Sequence, residues 1–465
     1  MKFFLKPFLI FFFICFLIVE LFPQTTENEI CIVKNITING NHRTKDAVIL
    51  SELPFSIDSE IIFDQLIFQS ERAKQNILNT SLFNKVEIQV QHIDNNEITI
   101  NIDVDERWYL WVLPIFENAG RNFSDFLYRN DGSWFIYGIY IKHYNFRGRN
   151  EKISLRAVTG YKDQFEFAYE NPGRSNGSGW KFFCRSQRDN QTAFNTFGDE
   201  QIYLKLTKSW TVRQNMIEMN YYLRDGIYKN HRFLAAYEDV KISDNLFALN
   251  PNFLPLSAQK SRQLIAGYEF KFDTRNLKIY ATDGNYFEGS VIRTGMGMVS
   301  DYNGFFDAKI VTGLFRPLSK RFFANSLLTL QAYSKKEIPY FFKAGMGYDD
   351  YMNGFEYKVV DGSFYSTLKN QLLFELVPRR DKTLNFIPVK QFSKFHYAFY
   401  LRLHLDAGYV YNGMPVSENK LPNSFLLGYG IGFDLVTIYD KVLSVNYSRT
   451  NFGDYGFFVH FNLGL

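Results

Sequence analysis

The strongest constraint on the fold is an alternation of apolar and polar residues in runs of about ten residues, the length of a membrane-spanning β-strand. In the clearest run, His396–Tyr411, the odd positions are all apolar: Tyr397, Phe399, Leu401, Leu403, Leu405, Ala407, Tyr409 and Tyr411. The even positions include Arg402, His404 and Asp406. Because successive side chains of a strand point to opposite faces, one face suits lipid and the other a polar lumen.

This pattern continues from residue 107 to the end of the chain and predicts a transmembrane β-barrel. Aromatic residues make up 18% of the sequence, yet the mean hydropathy is only −0.21, as expected when alternation dilutes the apolar residues. A soluble β-sandwich also alternates, but it does not need aromatic residues at both ends of nearly every strand. Seventeen runs are candidates, among them Gln201–Ser209 and Arg232–Lys241, and a single-chain barrel with both ends on one side needs an even number. One run must therefore be a loop hairpin or be merged with a neighbouring strand, and choosing Arg232–Lys241 as this run gives a prediction of 16 antiparallel strands.

Residues 31–105 have a different pattern, which predicts a small β-α-α-β-β unit. A first strand ends at the turn Asn39-Gly40-Asn41. Thr44 is a candidate N-cap for a helix over Lys45–Leu53, and Asp58 or Ser59 is a candidate cap for a second helix that runs to Thr80. Two alternating runs around residues 86–90 and 98–104 then form an antiparallel hairpin with one polar face, which the helices cover on the other side.

The N-terminus predicts a secretory signal peptide. Lys2 and Lys6 precede an apolar run of twelve residues, Phe8–Val19, which is short for a spanning helix. The alternative is an uncleaved anchor. Cys31 and Cys184 fall in different predicted domains and are expected to be free thiols.

The sequence carries no pattern that indicates an enzyme. None of the 7 His residues lies in an H-E-x-x-H pattern, and neither a G-x-S-x-G sequence nor a phosphate-binding loop occurs. We therefore expect no catalytic residues, no metal and no cofactor. The formal net charge of +4 does not indicate a broad nucleic-acid-binding surface.

Several short motifs, in order along the chain, resemble those of the outer-membrane assembly-barrel superfamily, the BamA/TamA-like bacterial surface antigen family. Asn39-Gly40-Asn41 with Thr44 resembles the "G-N-x-x-T" opening of a POTRA (polypeptide-transport-associated) domain, and the acidic "V-D-E" at 104–106 resembles its end. Further matches are the turn 144–150, Asp273-Thr274-Arg275-Asn276 with 282–286, and Leu405-Asp406-Ala407-Gly408. The resemblance implies a signal peptide at 1–24, one POTRA domain at 25–106 and a barrel at 107–465.

The resemblance also implies a long lid loop at about 335–363 that folds back into the barrel. The family's "V/I-R-G-F/Y" tip corresponds to Met352-Asn353-Gly354-Phe355-Glu356, so Asn353 replaces the family's arginine. In the family that arginine contacts acidic wall groups, and the candidate wall partners here are Asp406, Glu375 and Arg402. We expect an Asn353–Asp406 contact that is weaker than an Arg–carboxylate pair, or a lid that relies on Lys358 or Lys343 instead. The alternative is that Asn353 does not touch Asp406.

The function implied by the resemblance is insertion or translocation of proteins through a seam between the first and last barrel strands. Pro114 cannot donate to the strand ladder and so weakens pairing at that edge, where a client strand can add by β-augmentation. The candidate seam residues are Trp111, Val112, Pro114, Phe457, Phe461 and Gly464. The implied partners are outer-membrane lipid, unfolded outer-membrane or secreted clients, and periplasmic or lipoprotein partners of the POTRA domain. The alternative is a passive channel or a structural, surface-display barrel.

Overall fold

A computed structural model describes residues 30–92, 96–118, 135–173, 177–299, 302–343, 345–348, 350–383, 394–437, 439 and 441–462. The predicted signal peptide lies outside the described residues. In the described part of the chain no helix is both long and apolar enough to cross a membrane. Two bodies follow one another along the chain, a small α/β domain and a 16-stranded antiparallel sheet.

The α/β domain has four strands and two helices. The strands are β1 (Ile30–Asn39), β2 (Glu60–Ile62), β3 (Phe83–His92) and β4 (Glu97–Glu106), and the helices are α1 (Asp46–Leu50) and α2 (Phe63–Leu78). The sheet order is β2-β1-β4-β3, in which β1 and β4 are parallel and the other pairs antiparallel. The apolar faces of the helices and of the alternating strands meet in one core, which contains Ile77, Ile100 and Phe83 among other fully buried residues. Cys31 is fully buried in this core.

Two details of this domain differ from the prediction. The short strand β2 lies between the helices and pairs with β1, so the second helix begins at Phe63 rather than at Asp58 or Ser59. Thr44 is not the N-cap of α1, because Lys45 occupies that position and makes no side-chain cap hydrogen bond. The Thr44 hydroxyl is instead bound in the junction with the barrel.

The prediction of 16 barrel strands is confirmed. In chain order the sheet contains β5 (Leu110–Asn118), β6 (Phe135–Phe146), β7 (Glu151–Gly160), β8 (Lys162–Asn171), β9 (Ser178–Asp189), β12 (Val212–Asp225), β13 (Lys229–Ile242), β14 (Lys260–Asp273), β15 (Gly284–Thr294), β16 (Phe305–Pro317), β17 (Phe322–Tyr333), β18 (Phe364–Thr383), β19 (Lys394–Tyr411), β20 (Phe425–Thr437), β21 (Lys441–Thr450) and β22 (Tyr455–Asn462). Each strand pairs with its neighbour in this order, and β5 and β22 are the two end strands.

The strand excluded from the barrel was wrongly chosen. Arg232–Lys241 lies within β13, which pairs along its length with β12 and β14. The run predicted at Gln201–Ser209 lies outside the barrel, because β10 (Gln191–Phe197) and β11 (Glu200–Lys205) form a separate two-stranded hairpin. At six residues β11 is shorter than the 9–11 residues that a membrane strand needs.

The α/β domain docks on the turns at one end of the barrel, here called the POTRA side. A buried bidentate pair joins Arg224, at the end of β12, to Glu52, with N–O distances of 2.9 and 2.8 Å. Asn79 at the end of α2 donates to the carbonyl of Asn276 at 3.0 Å and accepts from the Lys278 amide at 3.1 Å. The loop between β17 and β18, the hairpin β10–β11, helix α3 (Asp244–Leu249) and the short 3-10 turns Pro255–Ser257 and Tyr340–Phe342 lie at the opposite end, here called the far side.

Candidate functional site

The tip of the loop between β17 and β18 is buried against the inner wall of the barrel. Met352, Asn353, Gly354, Phe355 and Glu356 are all buried. The tip closes as a turn in which the Phe355 amide donates to the Met352 carbonyl at 3.0 Å, and Gly354 takes a φ of +91° that favours glycine. We call residues 334–363 the lid.

Asn353 bonds to two wall residues. Its backbone N–H and its side-chain Nδ2 both donate to Oδ2 of Asp406, at 3.0 and 2.7 Å. Its Oδ1 accepts from Nδ2 of Asn446 on β21 at 3.1 Å. Asp406 is completely buried, and hydrogen bonds to a buried carboxylate are stronger than those between neutral groups. Asn353 thus contacts Asp406 without supplying a positive charge to it.

The positive charge near this contact belongs to the wall. Arg402 donates from Nε to Oδ2 of Asp434 at 2.9 Å and from Nη2 to Oδ1 of Asn446 at 2.6 Å. Arg402 therefore reaches the lid tip through one intervening residue, Asn446. The third candidate partner, Glu375, accepts from the Tyr400 hydroxyl at 3.1 Å. Tyr400 lies six residues before Asp406 on β19, which is about 20 Å along the strand.

Other charged residues hold the rest of the lid. Lys343 pairs with Asp361 at 2.6 Å within the lid itself, and Lys369 on β18 pairs with Asp350. Lys358 pairs with Glu200 at 3.1 Å, next to the point where the Val359 amide donates to the carbonyl of Asp199 at 2.9 Å. Both lysines named as alternative anchors are thus paired, one of them to the hairpin β10–β11.

The lid also contacts the last strand, β22. The Tyr351 ring stacks on His460 with ring centroids 4.8 Å apart, and Nε2 of His460 lies 3.3 Å from Oε1 of Glu356. Tyr357 packs against Phe458 at 5.3 Å. Burial raises the pKa of the Glu356 carboxyl above its usual range, and the neighbouring His460 opposes the shift. The lid is therefore in contact with one of the two strands that form the predicted seam.

Glycines in the wall give the lid tip its space, and the sequence reasoning missed this role. A Cβ at Gly428 would overlap the carbonyl oxygen of Asn353, and one at Gly408 would overlap the sulfur of Met352. A Cβ at Gly432 would meet the Asn446 side chain. The signal in the sequence is the alternation of glycines on β20 in L-G-Y-G-I-G, residues 427–432, since a glycine inside a strand often marks the close approach of another backbone.

The side chain of Tyr280 enters the lumen from the POTRA side. The turn between β14 and β15 folds inward, so that the hydroxyl of Tyr280 donates to Oδ2 of Asp434 at 2.8 Å. Its ring lies 4.6 Å from that of Tyr400. Asp434 consequently binds both Tyr280 and Arg402, which connects this turn to the side chains that hold the lid tip.

The seam residues lie on the two end strands. On β5, Trp111 packs edge-on against Tyr439 with centroids 5.1 Å apart, Val112 is exposed, and Pro114 lies opposite Ile139 of β6. On β22, Phe457 and Phe461 are exposed on the outer face. Gly464 lies outside the described residues. Through the contact between Trp111 and Tyr439, the first strand lies beside the turn between β20 and β21.

Three of the motifs that suggested the resemblance meet at the junction of the two bodies. The Thr44 hydroxyl donates to Glu106 at 2.6 Å, accepts from Asn145 at 2.8 Å and lies 3.0 Å from the Tyr109 hydroxyl. The Lys45 amide donates to the carbonyl of Gly148 at 2.9 Å. These residues come from the POTRA opening, the acidic end of β4 and the turn between β6 and β7. Burial raises the pKa of Tyr109 above its usual range.

Comparison with known proteins supports both parts of the architecture. Residues 31–107 match the family model for POTRA, described as "Surface antigen variable number repeat". The structure is similar to BamA from Haemophilus ducreyi lacking POTRA domains 1-3, with a TM-score of 0.51 and 13% identity, covering 93% of this chain and 85% of that one. It is also similar to CdiB from Escherichia coli, with a TM-score of 0.55 and 11% identity, covering 93% of this chain and 75% of that one.

No curated protein sequence matches the chain significantly, and at 11–13% identity the structural likeness concerns the fold. The expected resemblance is nonetheless confirmed, because the POTRA match and the 16-stranded sheet come from separate parts of the chain. The chain thus combines a region that matches the POTRA family model, at residues 31–107, with a 16-stranded sheet whose fold is similar to that of BamA and CdiB.

Proposed function

We propose that this protein inserts other proteins into the outer membrane, or translocates them across it, through the seam between β5 and β22. In this proposal residues 1–24 are a signal peptide, 25–106 the periplasmic POTRA domain and 107–465 the membrane barrel, with a lid at about 335–363. The POTRA side then faces the periplasm and the far side faces the exterior.

The observation that carries the proposal is a lumen occupied from both sides. The lid tip fills the space beside β19, β20 and β21, and Tyr280 enters from the POTRA side to bind Asp434 on β20. A barrel plugged in this way is poorly suited to free diffusion of solutes. A client that passes between the end strands β5 and β22 does not need to cross the occupied lumen.

The chemistry of the end strands supports that route. Backbone N–H and C=O groups at a strand edge are a template for an incoming strand, which adds by β-augmentation. Pro114 removes one donor from β5, and the outward face of β22 offers the aromatic side chains of Phe457 and Phe461 to an apolar client strand. The lid contacts His460 and Phe458 and therefore lies directly against this edge.

The POTRA domain offers a second place for clients or partners. Strand β3 is at the end of the four-stranded sheet and pairs with β4 on one side. Its ten residues are long enough to receive an extended segment by the same backbone chemistry. Unfolded clients, and periplasmic or lipoprotein partners, are the proposed occupants of this edge.

Depletion of the protein in its host tests the proposal. We expect the amounts of other outer-membrane barrels or secreted proteins to fall, measured by quantitative proteomics of the outer membrane and the medium. An unchanged composition combined with altered uptake of small solutes would instead support a passive channel. An unchanged composition with unchanged uptake would support a structural or display role.

A further inference from the structure

A continuous set of contacts joins the POTRA domain to the lid tip through the lumen. It begins at Asn79 on α2, which bonds to the turn at Asn276 and Lys278. It continues from Tyr280 in the same turn to Asp434, and from Asp434 through Arg402 and Asn446 to Asn353. The donor–acceptor distances along this path are 2.6–3.1 Å.

The turn between β14 and β15 is braced so that a movement at one end reaches the other. Asn276 accepts from the amides of Thr282 and Asp283 at 3.1 and 3.2 Å and donates from its side chain to the Thr282 hydroxyl at 2.8 Å. Its own amide donates to the carbonyl of Asp283 at 3.0 Å. These bonds close the turn on itself, so Tyr280 is held at the tip of a rigid loop rather than on a free one.

The wall section of the path is shielded from water. Asp434, Asn446 and Arg402 are all buried, and hydrogen bonds in such an environment polarise one another and respond as a network. Asp434 is the node at which the two ends meet, because the same Oδ2 atom accepts from Tyr280 at 2.8 Å and from Arg402 at 2.9 Å. Loss of one donor changes the position and strength of the other.

We propose that Tyr280 is a positioning residue that couples the seating of the POTRA domain on the barrel to the docking of the lid. When the POTRA domain leaves the turn between β14 and β15, Tyr280 leaves Asp434, Arg402 shifts with its partner, and Asn446 loosens its hold on Asn353. A client or partner that moves the POTRA domain thereby releases the lid. The role of this coupling rests on the proposed function, but the coupling can be tested without a client protein.

The test measures the labelling of a cysteine at the lid tip in the full-length protein in detergent or nanodiscs. Met352 is fully buried, so Met352→Cys reacts with a maleimide when the lid is released. We expect Tyr280→Phe, which keeps the ring and removes the hydroxyl, to increase the labelling rate about tenfold, the effect of losing one hydrogen bond to a charged group. Asn79→Ala, at the far end of the path, is expected to act in the same direction.

A matched variant separates coupling from general loosening. Tyr286→Phe removes a hydroxyl bound to Glu288 on the wall, outside the path. This variant is not expected to change labelling at residue 352. The native thiol Cys31, which is fully buried in the core of the POTRA domain and is read separately by mass spectrometry, reports unfolding of that domain.

The combination of variants gives the decisive result. If Asn79 and Tyr280 act on one path, the double variant labels no faster than the faster single variant, since the second change breaks a path that is already broken. The proposal is overturned if Tyr280→Phe leaves the labelling rate at residue 352 unchanged. It is also overturned if Tyr286→Phe raises that rate equally, or if Cys31 becomes reactive together with residue 352.

Discussion

Replacing Asn353 by alanine should release the lid tip. The substitution removes the 2.7 Å bond from Nδ2 to the buried carboxylate of Asp406 and the 3.1 Å bond from Asn446, and leaves the backbone bond to Asp406. A hydrogen bond to a charged group contributes about 2 kcal/mol and a neutral one about 1 kcal/mol. Docking of the lid should therefore weaken by about 3 kcal/mol, which corresponds to a release about 100-fold more frequent.

Amide hydrogen exchange measures this release. The Asn353 amide donates to Asp406 on the wall, so it exchanges when the tip leaves the wall. We expect peptides that cover 350–360 to exchange about 100-fold faster in the variant, while peptides from β19 and β20 keep their protection. Asn370→Ala is the matched control, because Asn370 bonds to Ser326 on the wall away from the lid.

The reasoning is refuted if lid exchange in Asn353→Ala stays within about threefold of the wild-type rate, a change too small for loss of one ordinary hydrogen bond. It is also refuted if the control accelerates lid exchange as much as Asn353→Ala does. In either case the lid would be held mainly by its outer contacts, such as Lys358 with Glu200.

Three further predictions concern neighbouring contacts. Glu52→Gln leaves Arg224 buried without its charge partner, so we expect POTRA docking to weaken by about 3 kcal/mol. The measurement is faster hydrogen exchange of the α1 amides, and the control is a substitution in the exposed pair Lys229–Asp225. Gly428→Ala forces the Asn353 carbonyl away and should weaken lid docking by about 1–3 kcal/mol. The same exchange assay measures this effect. Unchanged protection of the lid would contradict the close approach of the Asn353 carbonyl to Gly428. Because burial raises the pKa of Glu356 above its ordinary 4.5, the docked lid holds a proton that the released lid loses sooner. Docking is then fully favoured below about pH 4.5 and weakens as the pH rises through the raised pKa. A ¹⁹F label on Phe355 should report this trend in the wild type, and Glu356→Gln should remove it.

The alternation along the chain was sufficient to predict the barrel, because it follows directly from strand geometry and the two environments of the wall. It could not decide which of seventeen runs lies outside the sheet. Arg232–Lys241 has one polar face and belongs to β13, a strand of 14 residues. Gln201–Ser209 shows a similar alternation, but the strand formed there, β11, has only six residues. Strand length, rather than pattern, separates these two cases, since a short strand cannot cross a membrane.

The lid contacts were only partly accessible to sequence reasoning. Asp406 was identified as a partner of Asn353 because both fall in short motifs. Asn446 and Tyr280 carry no local signal of a shared site, because they lie on β21 and in a turn and come together only when the barrel closes. Thr44 is a similar case, because its position before a helix predicts a cap, whereas the tertiary partners Glu106 and Asn145 take its hydroxyl.

The central claim, that the seam between β5 and β22 is the working route, is tested most directly by locking it. Cysteines replace Val112 on β5 and Phe461 on β22 in a Cys184→Ser background. The purified protein is oxidised to form a disulfide between them. It is then reconstituted in lipid vesicles and given an unfolded barrel client. The account predicts that client insertion stops in the locked protein and returns on reduction. The account would be contradicted if the disulfide-locked protein inserted the client as fast as the protein whose disulfide has been reduced.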